Sequence, residues 1–169
     1  MITVPIDEKA LFISLDEVWE ELLNLVSSTN EAMFNKIPFA GSWTVAQLAT
    51  HITKSNFGMV KAFEMEGKAP TRDPSEGVAR MRNIFLDFTR KYQSPEFILP
   101  ETKVFDKESV VGDLKRSIEG LQQKENGYAL SEMLQVQIFG EVSRFELFHF
   151  ILFHTQRHLR QLKNILKEL

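Results

Sequence analysis

Helix-start signals recur along this chain, and each is followed by apolar residues at helical spacing. A Ser or Thr followed three residues later by Glu or Gln forms a capping box, in which each side chain satisfies a free N–H of the first turn. Such boxes occur at residues 14–17, 44–47 and 143–146. A further start is predicted at residues 73–76, where Pro74 takes a first helical position that needs no N–H donor. A chain with these signals is expected to fold as packed helices.

Five helices are predicted from these signals and from the period of the apolar residues. Their approximate ranges are 14–30, 44–66, 73–92, 108–124 and 143–169. Residues 93–107 hold two prolines and no sustained period, which indicates a crossover or flap with a short extended piece at 97–99. Residues 129–140 fit either a turn of helix or a short strand, and no strand pairs are predicted. The residues therefore favour an all-α bundle, a single domain over 1–169.

Charge and hydropathy narrow the classes of function. The chain has 20 basic and 23 acidic residues, a formal charge of −3, whereas nucleic-acid binding requires a clustered excess of Lys and Arg. The longest strongly apolar run, 147–153, is interrupted by His149 and is far shorter than the roughly 20 residues that span a membrane. The first nine residues lack the pattern of a signal peptide. We therefore expect a cytoplasmic protein with no nucleic-acid partner and no membrane partner.

The chain contains no cysteine and only four histidines. Without cysteine there is no disulfide, no cysteine-ligated zinc and no thiolate nucleophile. Any transition-metal site must therefore be built from histidine and carboxylate side chains. Any sulfur chemistry must use a thiol from another molecule.

Helical geometry selects three of the four histidines. On the last predicted helix His154 and His158 lie about 40° apart, one turn above the other, so that two imidazoles can converge on one ion. His149 lies about 180° from His158 and is expected to be a partly buried structural residue. On the second predicted helix His51 belongs to a strip of small or polar side chains, which leaves room for a cavity. These three histidines would hold a metal ion with open positions, as in catalytic sites.

A second interpretation does not require a metal ion. Buried histidines also form hydrogen bonds with carbonyl and hydroxyl groups. The alternative function is a non-catalytic helical bundle, a dimerisation or binding module whose histidines are structural or hold an inert ion. The helical geometry leaves both interpretations open.

Two segments of the chain resemble the signatures of a known family. Residues 42–52 place a tryptophan before a helix that carries an inward histidine, and residues 139–143 and 154–162 contain a helix start and the paired histidines. In order and separation they resemble the signatures of the DinB-like superfamily, and the resemblance covers essentially the whole chain. It implies an all-α fold, a four-helix bundle of up-down-down-up topology with an additional short helix or crossover segment, which is often dimeric. We accordingly expect a homodimer.

The resemblance also implies a divalent metal ion held by three histidines, which in this sequence are His51, His154 and His158. Relatives in this family include metal-dependent S-transferases that use low-molecular-weight thiols. The implied cofactors are therefore a divalent ion (Zn, Ni, Fe or Mn) and a low-molecular-weight thiol. We expect a metal-dependent enzyme, a thiol-dependent S-transferase or a hydrolase, that acts on a small-molecule substrate.

No side chain is assigned a catalytic role by its spacing. Two glutamines are candidates to support the site by hydrogen bonds without binding the ion themselves. Gln47 lies one turn from His51 and could hydrogen-bond a water at the ion, but it also fits the capping box and is assigned there by preference. Gln161 lies near the His158 face of the last helix.

Other residues near these positions are expected to have structural roles. Glu141 and Glu146 flank the start of the last helix, and Glu146 is interpreted as the capping-box acid. Trp43 is expected to anchor the core. Arg157 and Arg160 are expected to be solvated.

Overall fold

The computed structural model describes residues 7–169. Residues 1–6, which belong to the predicted domain and to the N-terminal segment without a signal-peptide pattern, lie outside the described residues. The helices are, in chain order, α1 (Glu8–Ser28), α2 (Glu31–Phe34), α3 (Val45–Phe63), α4 (Val78–Phe85), α5 (Lys107–Gln122) and α6 (Arg144–Lys167). A 3-10 turn over Glu96–Ile98 precedes α5, and the strands β1 (Met133–Val136) and β2 (Gly140–Ser143) precede α6.

In two pairs of long helices, residue numbers rise together along the contact. These contacts are Phe12–Phe148 and Glu21–Lys163 between α1 and α6, and Asn56–Ser117 and Glu64–Lys124 between α3 and α5. α1 is therefore parallel to α6, and α3 is parallel to α5. Between α3 and α6 the order reverses, because Arg144 at the start of α6 donates to the carbonyl of Phe63 at the end of α3. The four long helices form a bundle that runs up, down, down, up, as the family resemblance implies.

Apolar side chains from the four long helices, the short helix α2 and the strands form a buried cluster. Its largest fully buried members are Trp19 on α1, Phe34 on α2, Phe63 on α3 and Phe148 on α6. Full burial of a large apolar side chain contributes about 1.5–3 kcal/mol relative to leaving it in water, so this packing is the main source of stability. Within residues 7–169, no helix combines the length and hydropathy needed to cross a membrane.

Two of the predicted helix starts are formed as capping boxes. Thr44 accepts the N–H of Gln47 at 3.1 Å, and the Gln47 side chain accepts the N–H of Thr44 at 3.0 Å. Ser143 and Glu146 form the same reciprocal pair, with both distances at 2.9 Å. The local sequence thus correctly predicts where the two helices that carry His51 and the paired histidines begin.

The predicted start of the first helix is wrong. α1 begins at Glu8, where the Asp7 side chain accepts the N–H of Ala10 at 2.9 Å. Ser14 lies inside the helix, and its hydroxyl donates to the carbonyl of Ala10 at 3.0 Å. A serine whose hydroxyl bonds a carbonyl of the preceding turn can lie inside a helix and does not mark its start. The buried side chain of Leu11, upstream of the serine, shows that the apolar stripe begins earlier than the capping signal.

The third predicted helix, which was expected to begin at Asp73, is much shorter than predicted. The Asp73 carboxylate accepts both the N–H and the hydroxyl of Ser75 at 2.8 Å, which forms a local turn in place of a first helical turn. α4 ends where the carbonyls of Phe85 and Asp87 accept hydrogen bonds from Arg157. Bonds from a distant helix therefore decide its end.

A β-hairpin lies between α5 and α6, so the prediction that the chain has no strand pair is wrong. β1 and β2 pair antiparallel, with Met133 opposite Ser143 and Val136 opposite Gly140. Gly140 has a φ of +72°, a left-handed conformation that glycine adopts at no steric cost. The ambiguous segment 129–140 therefore contains a strand and the hairpin turn.

Two one-turn elements also differ from prediction. Glu96–Ile98 is a 3-10 turn and not the predicted extended piece. The short helix α2, capped by the side chain of Asn30, is absent from the prediction. Each is too short for an apolar period to be visible in the sequence.

The carboxylate of Glu146 joins several segments at the start of α6. It is fully buried and accepts two hydrogen bonds from the Arg72 guanidinium at 2.7 Å. It also accepts the N–H groups of Gly77 at 2.6 Å and of Ser143 at 2.9 Å. A bidentate Arg–carboxylate pair with further backbone donors is a strong combination, and the bond to Glu146 raises the pKa of Arg72. The predicted capping acid thus also attaches the connection between α3 and α4.

We expect Glu146→Ala to lower the free energy of unfolding by about 2–4 kcal/mol, because Arg72 and two backbone N–H groups lose their buried acceptor. Chemical denaturation followed by circular dichroism measures this change. Glu141→Ala is the matched control, since it removes an exposed carboxylate bonded to Thr71, and it is expected to cost less than about 1 kcal/mol. Equal losses in the two variants would contradict the role given to Glu146.

Candidate metal centre

The antiparallel contact of α3 and α6 brings three histidines together. His51 lies in the second turn of α3, and His154 and His158 lie one turn apart on α6. Their exposed fractions are only 1%, 6% and 7%. One potential ligand atom of each lies within 4.8 Å of the others. The structure thus assembles the three histidines that helical geometry selects from the sequence.

The Nε2 atoms of these histidines face one another. Nε2 of His51 lies 3.0 Å from Nε2 of His158 and 3.2 Å from Nε2 of His154. Two imidazole nitrogens bound to one ion at about 2.0–2.1 Å are separated by about 3 Å. The nitrogens are therefore placed as the donors of a single transition-metal ion would be.

The outward nitrogens determine the tautomers of two of these rings. Nδ1 of His51 lies 3.0 Å from the carbonyl oxygen of Ile98. Nδ1 of His158 lies 2.9 Å from the amide oxygen of Gln161. Both oxygens only accept hydrogen bonds, so each Nδ1 carries the proton and each Nε2 presents a lone pair. With the Gln161 amide in this orientation, the contact between the Nε2 atoms of His51 and His158 joins two lone pairs and is not a hydrogen bond.

Two facing lone pairs in a buried site repel each other, and a positive centre between them, either a proton or a metal ion, relieves that repulsion. Burial disfavours the proton, since desolvation lowers the pKa of His158 to about 3 and the pKa of His154 well below its ordinary value. Desolvation also lowers the pKa of His51, against the opposing effect of its bond to Ile98. The rings are neutral near pH 7, which is the form that binds metal. The donor set therefore fits a metal ion better than a proton.

Aromatic rings enclose the imidazoles. Trp43, expected as a core anchor, is half-buried and packs on the rings of His51 and His158 with centroid distances of 4.9 and 6.2 Å. Phe85 and Phe150 flank the remaining histidine at 6.2 and 5.2 Å. Apolar walls of this kind exclude water and strengthen electrostatic interactions inside the site.

The two glutamines considered as supports have different partners. Gln161 bonds Nδ1 of His158 and so holds that ring from outside the cluster. The side-chain oxygen of Gln47 completes the capping box with Thr44, and its amide nitrogen donates to the carbonyl of Glu101 at 3.3 Å. The capping role of Gln47 is confirmed, and both ends of its amide are engaged.

The two carboxylates near the start of α6 bind partners other than the three histidines. Glu141 accepts a hydrogen bond from Thr71 at 2.6 Å, and Glu146 is bound by Arg72. Glu146 also precedes His154 by about 12 Å of helical rise. Neither carboxylate is placed to accept a proton at the three histidines.

Arg157 is not simply solvated, contrary to expectation. Its half-buried guanidinium donates to three backbone carbonyls, among them those of Phe85 at 3.1 Å and Asp87 at 3.0 Å. It thereby attaches the connection after α4 to the helix that carries the paired histidines. Arg160 is exposed, as expected, and lies over the ring of Phe88 at 4.5 Å.

His149 lies apart from the group formed by His51, His154 and His158. Its Nδ1 atom is 3.0 Å from the carbonyl oxygen of Phe145, and its ring packs against those of Phe145 and Phe153. The expectation of a partly buried structural histidine is confirmed.

The acceptor of the His51 proton is the site feature that sequence reasoning missed. Ile98 lies 47 positions from His51, in a segment without a sustained period, and it acts through its backbone carbonyl. Every residue has such a carbonyl, so residue type carries no signal for this contact.

Known structures share this fold. TT2238, described as a four-helix bundle protein, superposes with a TM-score of 0.59 at 16% identity, over 93% of this chain and 98% of its own. YfiT from Bacillus subtilis is described as a probable metal-dependent hydrolase with an unusual four-helix bundle topology. It superposes with a TM-score of 0.57 at 12% identity, over 97% of this chain and 88% of its own. No curated protein matches the sequence.

The family comparison covers most of the chain. Residues 14–162 match the DinB superfamily, and this range includes His51, His154 and His158. The match agrees with the order of the helices and with the two segments that contain these histidines. The chain belongs to the DinB superfamily.

Proposed function

We propose that this protein is a metal-dependent hydrolase that acts on a small-molecule substrate, with its ion held by His51, His154 and His158. The observation that carries the proposal is the pair of facing Nε2 lone pairs of His51 and His158 in a buried site. The description of YfiT as a probable metal-dependent hydrolase supports it, because the chain shares the fold of that protein.

The residues of this chain prepare the site for a divalent ion. The Ile98 carbonyl and Gln161 keep protons on the outward nitrogens, so the inward nitrogens remain donors. The rings of Trp43 and Phe85 limit the access of water to the imidazoles. An ion with three histidine ligands and open positions supplies, when bound, a Lewis acid that activates a nucleophile. For a hydrolase that nucleophile is water.

A small thiol is the second nucleophile that such a site could use. The chain has no cysteine, so a thiol-dependent S-transferase would take its thiol from a low-molecular-weight cofactor. Thiolate is the reactive form, and a neighbouring metal ion favours it. Zn, Ni, Fe and Mn are the candidate ions.

A non-catalytic bundle is the competing function. In that case the histidines are structural or hold an inert ion, and the apolar helix faces serve dimerisation or partner binding. The homodimer and the cytoplasmic location expected from the sequence stay predictions.

Turnover by the metal-loaded protein distinguishes these functions. We expect hydrolysis of activated esters that requires the ion and needs no added thiol. Turnover only after addition of a low-molecular-weight thiol and an electrophile would replace the hydrolase by an S-transferase. A bound ion without turnover of either kind would favour the binding module.

We expect untagged protein to contain about one divalent ion per chain, and His154→Ala to lose most of it, because two remaining histidines make a weak site. Elemental analysis after dialysis measures this. His149→Ala is the matched control on the same helix and is expected to retain the ion. Protein that contains no metal and is indifferent to chelators would contradict the proposed site.

Acid is expected to destabilise the metal-free protein through its buried histidines. The pKa of His158 is about 3 in the folded chain and 6.5 in its ordinary state. Between these values the unfolded chain binds a proton that the folded chain does not. Above about pH 6.5 neither state binds this proton, so the free energy of unfolding keeps its full value. As the pH drops toward 3 the free energy of unfolding falls, by up to about 1.4 kcal/mol per pH unit for each such histidine.

Denaturant unfolding in the presence of EDTA, between about pH 7 and pH 5, measures this slope. His158→Leu removes one titrating ring, and its unfolding free energy is expected to depend less steeply on pH than that of the wild type. The same slope in both proteins would show that His158 does not titrate as its burial requires.

A further inference from the structure

Three side chains on one stripe of α3 donate to carbonyl groups of a single segment. This segment, residues 96–101, lies across the N-terminal half of α3 and is called the strap below. The bonds are Gln47 to Glu101 at 3.3 Å, His51 to Ile98 at 3.0 Å and Lys54 to Leu99 at 2.9 Å. The donors are four and three residues apart, which is the spacing of one helix face. His51, a predicted metal ligand, therefore also binds the strap.

Side-chain hydrogen bonds hold the strap, and apolar burial contributes little. No side chain of residues 91–104 is buried, and Phe97 is 66% exposed. The chain is anchored after the strap, where Asn35 exchanges two hydrogen bonds with the backbone of Phe105 at 2.8 and 2.9 Å. A segment with few buried apolar contacts opens at low free-energy cost. The donors on α3 therefore decide how tightly the strap closes over His51.

The carbonyl of Ile98 connects the strap to the metal site. While it accepts the Nδ1 proton of His51, Nε2 of that ring keeps its lone pair. A released neutral imidazole can carry its proton on Nε2, and in that tautomer the inward nitrogen cannot bind an ion. Outer partners of metal-binding histidines typically change metal affinity by about 10–100-fold.

We propose that Lys54 is a positioning residue of the metal site. By binding the Leu99 carbonyl it keeps the strap closed, and the closed strap keeps His51 in its metal-binding tautomer through Ile98. Lys54 is half-buried one turn from His51, and its ammonium group is the donor of the shortest of the three strap bonds. The effect of Lys54 on ion binding rests on the proposed function. Its effect on the His51 tautomer is expected in the metal-free protein as well.

The test compares Lys54→Met with the wild type, since methionine keeps an unbranched apolar stem and removes the donor. Nitrogen-15 NMR of histidine-labelled, metal-free protein at about pH 8, where imidazole is neutral, reports which nitrogen of His51 carries the proton. We expect wild type to hold the proton on Nδ1 and Lys54→Met to shift a measurable fraction to Nε2. Zinc release from loaded protein to a chromophoric chelator is expected to be about tenfold faster in the variant.

Two further variants control this comparison. Lys61→Met removes a lysine from an exposed position on the same helix, where the described residues give it no side-chain partner, and it is expected to behave as wild type. Lys54→Arg keeps a charged donor and is expected to restore the tautomer and the slow release. Unfolding free energies measured on all variants check that the bundle is intact.

An unchanged His51 tautomer and an unchanged rate of zinc release in Lys54→Met would overturn the proposal. If wild type binds no zinc, the proposed function fails, while the NMR comparison still decides the role of Lys54. A tautomer shift in Lys54→Met that Lys54→Arg reverses supports the proposal in either case.

Discussion

A buried arginine at the start of α6 holds one end of the antiparallel contact of α3 and α6. Arg144 is 1% exposed and donates to the carbonyls of Phe63 and Met65 at 3.2 and 2.8 Å, which satisfies groups that the end of α3 leaves free. Toward the other end, Nε2 of His51 faces Nε2 of His158 at 3.0 Å without a hydrogen bond between them. A shift of one helix by a turn would leave buried polar groups without partners, which is costly. The register of these helices, and with it the geometry of the three histidines, depends on the contacts of Arg144.

The same two helices also hold the connections that lie over the site. Arg157, next to a predicted ligand, binds the backbone after α4, and Lys54 and Gln47 bind the strap. Glu146 binds the connection before α4 through Arg72. The connections contribute few buried side chains, so hydrogen bonds from the bundle decide their positions. A pair of packed helices thus carries the three histidines, while segments of lower local stability cover them.

Much of this architecture could be predicted from local sequence. The starts of α3 and α6 are visible because both members of each capping box lie within four residues, as at Thr44 and Ser143. Ser14 begins the same local pattern but lies inside α1, where its hydroxyl bonds a carbonyl of its own helix. Only the burial of Leu11 reveals the earlier start of that helix. The end of α4 could not be predicted, because it depends on Arg157 from a helix about 70 positions away. The hairpin has no clear signal in the sequence, because a four-residue strand leaves too short a pattern.

Helical phase is a local property, and it is sufficient to direct His154 and His158 to one side and to separate His149 from them. The absence of cysteine is equally a property of the composition, and it restricts sulfur chemistry to a thiol from another molecule. The folded chain alone decides that His51 meets the pair and that its proton lies on the outward nitrogen. The reason is physical: the ring nitrogen that remains a donor depends on a backbone carbonyl of Ile98. That carbonyl has no signature in residue type, and only the packing of the strap on α3 brings it to the ring.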